Sequence, residues 1–544
     1  MSGVSSSRAS SGAAIAAGTL VSRLTGFLRT IVIAAALGQF LGDPYNVANT
    51  IPNILYDLLL GGVLSSVVLP LLVQAAHDDA DGGEAYAQRL LSVVVAVLTV
   101  TAVIGVVLAP QIVHIYGGKL TGADRALATT FARYFLPQVL FYGAGAVFTA
   151  ILNTRGSLAL PMWAPVLNNL VVIASGGLFL AITHAAPHAG QLSHGQILVL
   201  ALGTTGGIVV QTIALLPGLR AVGFHLRLRT DWRASPLVAA GPFAAWMVGY
   251  VVTNQLGYVV IVNLATASGR ARGNPDFGYS AYTYAYALFS LPYAVVAVTV
   301  ITALFPRMSR SATANRRGEI ANTLAAGLSL SGTLLVPATA LLVALGPLVG
   351  AVVFAHGNTD LSNARLTGAT LAAFALGLVP FSAFQLQLRA FLALRDSRTP
   401  ALVNVAITAV NVVADLVLYV ALPPREKVVG LALGFVASYV VGVFWFARLL
   451  RRRLGPANEH RVLRTHFRLT VAALIAVVPA YAAARLLTSG LGLDPESSFV
   501  AVAVGSVVGG ALFFAVASRL RVRELTEVTG MVRRRLGGSG QERD

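Results

Sequence analysis

Runs of eighteen or more apolar residues recur from one end of this 544-residue chain to the other. Each is long enough to cross about 30 Å of hydrocarbon as a helix. Inside a bilayer every backbone N–H and C=O must be satisfied within its own segment, so such runs fold as helices. About fourteen spans are expected, near 12–40, 46–74, 90–115, 128–152, 160–183, 196–217, 237–265, 280–305, 321–345, 366–390, 400–422, 428–450, 467–487 and 498–518. The fold class is therefore an all-α polytopic membrane protein. Only 11% of residues are charged, against about a quarter in soluble domains. No stretch is long and polar enough for a separate soluble domain.

Arginine placement orients the chain. With the N-terminus in the cytoplasm, the connections on that side and the two tails hold 27 of the 39 lysines and arginines, and the opposite loops hold eight. By the positive-inside rule both termini are cytoplasmic. The bias also accounts for most of the +18 net charge, so the basic balance gives no reason to expect a nucleic-acid partner. The basic stretches Arg448–Arg468 and Arg519–Arg535 are expected to meet anionic lipid headgroups. Met1 to Ser11 reads as a cytoplasmic tail rather than a signal peptide.

The absence of cysteine removes disulfides and thiol chemistry. The histidines show no metal-binding spacing, and His77, His184, His188, His194, His460 and His466 are expected in loops. No phosphate-binding loop is present, so ATP-driven pumping by this chain alone is not expected.

Four of the 39 cations lie within spans: Arg23, Arg29, Arg133 and Arg389. Arg389, at the cytoplasmic end of its span, is expected to snorkel. Arg23 and Arg29 both sit in the first span, where a guanidinium facing lipid costs roughly 3 to 17 kcal/mol. Six positions apart, they differ by about 240° around a helix and rise about 9 Å, so they form a wide wall rather than a stripe. Gly26 between them would admit another helix or a ligand. A planar fork of donors suits phosphate, so this wall is expected to receive an anionic head group.

Other polar residues carry weaker signals. Asp43, in Gly42-Asp43-Pro44, reads as a turn or helix cap. Pro52, Asp57, Gly61 and Gly62 make the second span a candidate gate, with Asp57 paired to an arginine or titrating. Asn411 and Asp415 lie one turn apart on the eleventh span, a reasonable fragment of a sodium site. Helix hydrogen bonding is the competing reading. Asn254, Gln255 and Asn263 stand ready to complete either arrangement. Tyr279, Tyr282, Tyr284 and Tyr286 read as an interfacial belt rather than a sugar platform. A basic turn before Pro-x-x-x-Asn occurs twice, at Pro165 and Pro400, 235 residues apart. That spacing suggests two six-helix halves, a common transporter plan. The expected divisions are 1–230, 231–455, two further spans in 456–520, and a basic tail in 521–544.

Ser22-Arg23-x-x-Gly26-x-x-Arg29, Asp43, Ile51-Pro52-Asn53 and Val68-Leu69-Pro70 together resemble the N-terminal signature of the MurJ/MviN family. Ile151-Leu152-Asn153-Thr154, Pro161-x-x-Ala164-Pro165-x-x-x-Asn169, Phe354-x-x-Gly357 and Thr399-Pro400 continue the likeness. The resemblance implies fourteen helices in the multidrug/oligosaccharidyl-lipid/polysaccharide exporter superfamily, two bundles around a central cavity, and a bacterial cytoplasmic membrane. It implies no enzyme activity but flipping, by alternating access, of lipid II, the undecaprenyl-pyrophosphate-linked peptidoglycan precursor, with cell-wall synthesis proteins as partners. By this resemblance Arg23, Arg29, Asn53 and Asn169 would be cavity residues; with Ser22 and Asp43 they make the expected substrate-binding set, and the residue types at Gly26, Asp57, Gly61 and Gly62 make those four the expected gating or coupling set. Asn411 and Asp415 would match a sodium site; no other cofactor is expected. The chain departs from the family where members often carry arginines after the span-two Pro-Asn (here Tyr56-Asp57), an acidic residue (here Gly61) and a span-eight arginine (here Ala287 or Tyr286). A multidrug cation antiporter would need acidic cavity residues to dominate, against which the two arginines stand. A non-transporting scaffold for wall enzymes would leave both arginines dispensable.

Overall fold

The computed structural model describes residues 2–56, 69–183, 187–229, 231, 241–270, 278–455, 459–522 and 524–525. Among these residues every regular element is a helix. They divide into two compact units, residues 1–280 with 356–360, and residues 281–355 with 361–544.

The first unit holds α1 (Ser2–Tyr56), α2 (Leu69–Asp78), α3 (Glu84–Val107), α4 (Ala109–Tyr116), α5 (Gly122–Phe135), α6 (Gln138–Thr154), α7 (Ala159–Ile182), α8 (His194–Ile213), α9 (Leu216–Ala221) and α10 (Gly241–Arg270). The second holds α11 (Tyr279–Thr313, from Ala281 on), α12 (Arg317–Phe354), α13 (Leu361–Ala375), α14 (Leu378–Ala393), α15 (Arg398–Ala421), α16 (Lys427–Leu454), α17 (Glu459–Leu491) and α18 (Pro495–Arg519). The chain passes from one unit to the other at Ser280, beyond the expected division near 230, and α17 and α18 group with the second unit.

Twelve of the described segments are long and apolar enough to cross a membrane, and α13 with α14, bent by 50°, make a thirteenth. The expected second span, 46–74, runs through residues 57–68, which lie outside the described residues, as do Asp57, Gly61 and Gly62.

The first expected span closes at Gly38, where φ is 58° and ψ is −162°. Only glycine adopts that geometry cheaply. The break therefore divides α1 into a segment bearing Arg23 and Arg29 and a second segment that begins with Asp43 and Pro44 in its first turns. Asp43 is thus helical rather than part of a turn.

Small residues let the helices approach. On α7 and α8, a Cβ at Gly203 would overlap the Ser175 side chain and one at Gly207 would overlap Asn168. In the second unit, a Cβ at Gly509 of α18 would lie 2.8 Å from both Ala480 of α17 and Leu341 of α12. Aromatic side chains fill the α14–α16 interface of that unit. Phe384 and Phe446 stack at 4.6 Å between α14 and α16, with Phe391 against Phe446 at 4.8 Å.

Two turns share one geometry. After α6, Ser157 N–H donates to Leu152 O with Gly156 at φ 80°, and after α14, Asp396 N–H donates to Phe391 O with Arg395 at φ 57°. Both are left-handed helix stops. Matching Gly156 to Arg395 gives a separation of 239, so Pro161 corresponds to Pro400, and Pro165 to Asn404. The sequence spacing of 235 had the right turn in the wrong register.

Candidate functional site

Arg23 and Arg29 are both half-buried on α1. Neither has a hydrogen-bond or ion-pair partner among the described residues. On a helical wheel Arg29 shares a face with Ser22, Thr25 and Gly26, while Arg23 lies about 100° from Ser22. Leu24 and Leu28, 60% and 47% exposed, occupy the opposite side. Arg29 is thus turned away from the exposed apolar face of its own helix, while Arg23 borders it, about 60° from Leu20, which is 56% exposed. The Arg29 charge also acts on the phenol of buried Tyr45, whose hydroxyl is 2.7 Å from Thr204 Oγ1 of α8.

Asn169 of α7 fixes this stretch of α1. Its side-chain nitrogen donates to Ser22 O at 3.1 Å and to Thr25 Oγ1 at 3.0 Å. A Cβ on Gly26 would stand 3.4 Å from the same nitrogen. The close approach expected at Gly26 is therefore filled by α7, and Asn169 ties down Ser22 and Thr25, the residues on either side of Arg23 and Leu24. Trp163 extends the seam, its indole N–H donating to Ala14 O at 3.2 Å beside Gly18. The buried Asn169 amide nitrogen is satisfied by a carbonyl and a hydroxyl of the neighbouring helix.

Asp43, 9% exposed, accepts from Ser280 N–H at 2.7 Å and Tyr279 N–H at 3.1 Å. The carboxylate caps the N-terminus of α11, 236 residues away in sequence, where orphan amides and the helix dipole favour an anion. Asn46 donates to Ser280 Oγ at 3.0 Å, and the Tyr279 hydroxyl lies 2.6 Å from Thr50 Oγ1 and 2.7 Å from the Tyr258 hydroxyl. Asn53 is exposed; its Nδ2 donates to Asn49 O at 2.8 Å and its Oδ1 accepts from the Tyr142 hydroxyl at 3.1 Å.

The tyrosine cluster does not form an interfacial belt. Tyr279, Tyr282 and Tyr284 are buried, and only Tyr286 is exposed, at 37%. In the second unit Tyr282 meets Phe374 edge-on at 4.9 Å and Tyr284 stacks on Phe354 at 5.5 Å. Alternating tyrosines on a helix end report packing partners here, not water.

Asp415 is fully buried on α15. Asn411 Nδ2 donates to its Oδ2 at 3.1 Å, while Oδ1 lies against Gly434 of α16 with no hydrogen bond. As placed, nitrogen rather than oxygen of Asn411 faces the carboxylate. The pair is a hydrogen-bonded couple with one orphaned oxygen, and a cation shell would need the amide turned over and further oxygens. Asn263 is engaged elsewhere, donating to Ile115 O at 2.7 Å and accepting from Gly118 N–H at 3.1 Å at the end of α4. Among the described residues no group of three His, Asp or Glu is gathered as a metal site. His460 and His466 lie within α17 rather than in a loop, with His466 packed on Gly332 of α12. His77 lies in the last turn of α2 and His194 begins α8; His184 is outside the described residues.

Charged contacts outside the spans are structural. Arg89 holds Asp231 at 2.7 Å, and that hydrogen bond keeps the Asp231 carboxyl below the usual range. Burial pushes Asp396 up, but bonds from Thr399 and the pairing with Arg453 outweigh it and leave the carboxyl lowered.

The family model for the lipid II flippase MurJ matches residues 33–494. The chain belongs to the MurJ family. A probable lipid II flippase MurJ of Rhizobium meliloti (strain 1021) is 27% identical over 546 residues, covering 98% of this chain and 97% of the relative. The lipid II flippase MurJ of Burkholderia cenocepacia is 28% identical over 513 residues, covering 91% and 94%. A solved lipid II flippase MurJ in an inward closed conformation superposes with a TM-score of 0.73 at 18% identity, covering 94% of this chain and 99% of that one. An inward-facing multidrug resistance transporter of the MATE family gives a TM-score of 0.58 at 14% identity, covering 79% and 98%. At these identities the structures establish a shared fold. This MurJ-family chain is accordingly a multi-pass helical membrane protein of a transporter family.

Proposed function

We propose that this chain flips lipid II across the bacterial cytoplasmic membrane by alternating access, with both of its termini in the cytoplasm. The observation that carries the reading is the pair of half-buried guanidinium groups on α1 with no ion-pair partner among the described residues, in a chain that matches the lipid II flippase MurJ family over residues 33–494. A pyrophosphate supplies the counter-charge that no described residue gives Arg23 and Arg29, through hydrogen bonds that strengthen when both partners are ionised. The prenyl chain stays in the acyl region while the sugar-peptide head crosses in a polar environment, which removes the cost of passing that head through hydrocarbon. Asn169 serves by holding the Ser22 carbonyl and the Thr25 hydroxyl rather than by touching the head group, and Asp43 by capping α11. Anionic lipids along the basic cytoplasmic segments and cell-wall synthesis proteins complete the proposed partners.

Asp415 is the proposed coupling point. Its orphaned Oδ1 is the kind of buried acceptor that a sodium ion or a proton satisfies. Replacing sodium by choline should slow transport by wild type and leave Asp415→Asn unaffected; equal sodium dependence in both would remove Asp415 from coupling.

Reconstituted vesicles with fluorescent lipid II test the main reading. Arg23→Ala or Arg29→Ala should each lower the translocation rate about 10- to 100-fold, the loss of a charge-assisted contact of roughly 1.5–3 kcal/mol. Undiminished flipping in both variants would defeat the arginine mechanism. Flipping of no lipid-linked glycan, with export of cationic drugs instead, would favour the antiporter reading that the MATE fold allows.

A further inference from the structure

The segment His356–Asp360 joins α12 to α13, two helices of the second unit, yet it groups with the first. It does so through the break in α1. Asn358 N–H donates to Ala35 O at 2.8 Å, Asn358 Nδ2 to Ala36 O at 2.9 Å, and Thr359 Oγ1–H to Ala34 O at 2.9 Å. These are three successive carbonyls in the last turn before Gly38, the groups a helix end leaves without intrahelical donors. The fit is close enough to dictate residue type on both sides. A Cβ at Gly38 would overlap Asn358 O, and one at Gly357 would stand 2.7 Å from Ala35 O; both glycines have positive φ, 58° and 59°.

We propose that His356–Asp360 is a reversible catch on α1, closed in the conformation seen here and released once in each transport cycle. The proposal rests on the flippase reading for its link to transport. Its physical basis is the kind of bond used. Three ordinary hydrogen bonds to carbonyl oxygens hold α1, and water can replace each of them at little net cost once the segment lifts. A permanent joint would be built from apolar burial, as α14 and α16 are at Phe384 and Phe446. The catch also acts on the helix that carries the arginines, since Ala34 follows Arg29 by five residues, about 7.5 Å along the axis. Releasing Ala34–Ala36 frees the end of that segment to turn about Gly38, whose backbone tolerates the change.

A chain with no native cysteine makes the test direct. The Ala35 Cβ lies 3.1 Å from where a Gly357 side chain would begin, near the range a disulfide spans. The double variant Ala35→Cys/Gly357→Cys, reconstituted with fluorescent lipid II, should translocate when reduced and fall at least tenfold when oxidised, with recovery on adding reductant. Unchanged translocation with the disulfide fully formed would overturn the catch. A cysteine at position 357 strains the backbone, so Asn358→Cys alone supplies a second measurement. Membrane-impermeant maleimide should label it slowly at rest and several-fold faster while lipid II is being flipped; an identical rate in both conditions would overturn the catch. Wild-type vesicles that flip no lipid II would sink the flippase reading instead. The catch would then be judged without substrate by maleimide labelling of Asn358→Cys, where slow but complete labelling supports release and full protection refutes it.

Discussion

Asp43 and Gly26 show how far a residue's type predicts its task. An aspartate before a proline signals a cap, and Asp43 is one, but for α11 rather than for its own turn. Two amide bonds to a buried carboxylate are worth about 1–3 kcal/mol. Asp43→Ala should therefore lower the thermal midpoint of the purified protein by several degrees, measured by tryptophan fluorescence in detergent; Asp43→Asn, which keeps one acceptor, should lose less. Gly26 signals close approach, and the approaching group is the Asn169 amide at 3.4 Å. Gly26→Ala should be tolerated with a shift of a few tenths of an ångström, whereas Gly26→Leu should abolish the monodisperse peak in size-exclusion chromatography. In both residues the chemistry was legible from the letter; the partner was not.

At the scale of elements, the helices follow from hydropathy, and their ends and seams follow from side chains brought together. The α14–α15 turn is held by Asp396, which accepts from Thr399 N–H at 3.0 Å and pairs with Arg453 of α16. Because the folded-state carboxyl is held below its unfolded value, this clamp stabilises the protein above about pH 4, the unfolded aspartate range, and its contribution disappears as pH falls through the lower folded value. Wild type should thus melt higher than Asp396→Asn at pH 7, with the gap closing near pH 3; a gap independent of pH would remove the clamp as its source. The duplicated turn was visible in sequence because proline and a basic residue mark it. Its register was not, because the left-handed stop is taken by Gly156 in one copy and Arg395 in the other, and only backbone geometry equates them. The tyrosines of α11 were misread for a related reason: a membrane belt and an aromatic core use the same residues, and burial alone separates them.

For the whole molecule, the charge distribution makes a topological prediction. Cysteines placed at Ala314, between α11 and α12, and at Lys119, between α4 and α5, are both exposed and should label from opposite sides of the membrane. In intact cells impermeant maleimide should reach Lys119→Cys and spare Ala314→Cys; the reverse pattern would invert the orientation. The sequence by itself determined a helical, many-span membrane protein with fixed cationic groups in its first span, because hydropathy and charge are local and their energies in a bilayer are large. The family likeness was also legible, in motifs spread from Ser22 to Pro400. What only the tertiary structure decided is which polar groups are already matched. Asp43 meets Ser280 across 237 positions and Asn358 meets Ala36 across 322, and the same folding leaves Arg23 and Arg29 without a hydrogen-bond or ion-pair partner among the described residues. A hydrogen bond depends on distances of tenths of an ångström between atoms that the order of residues does not place together.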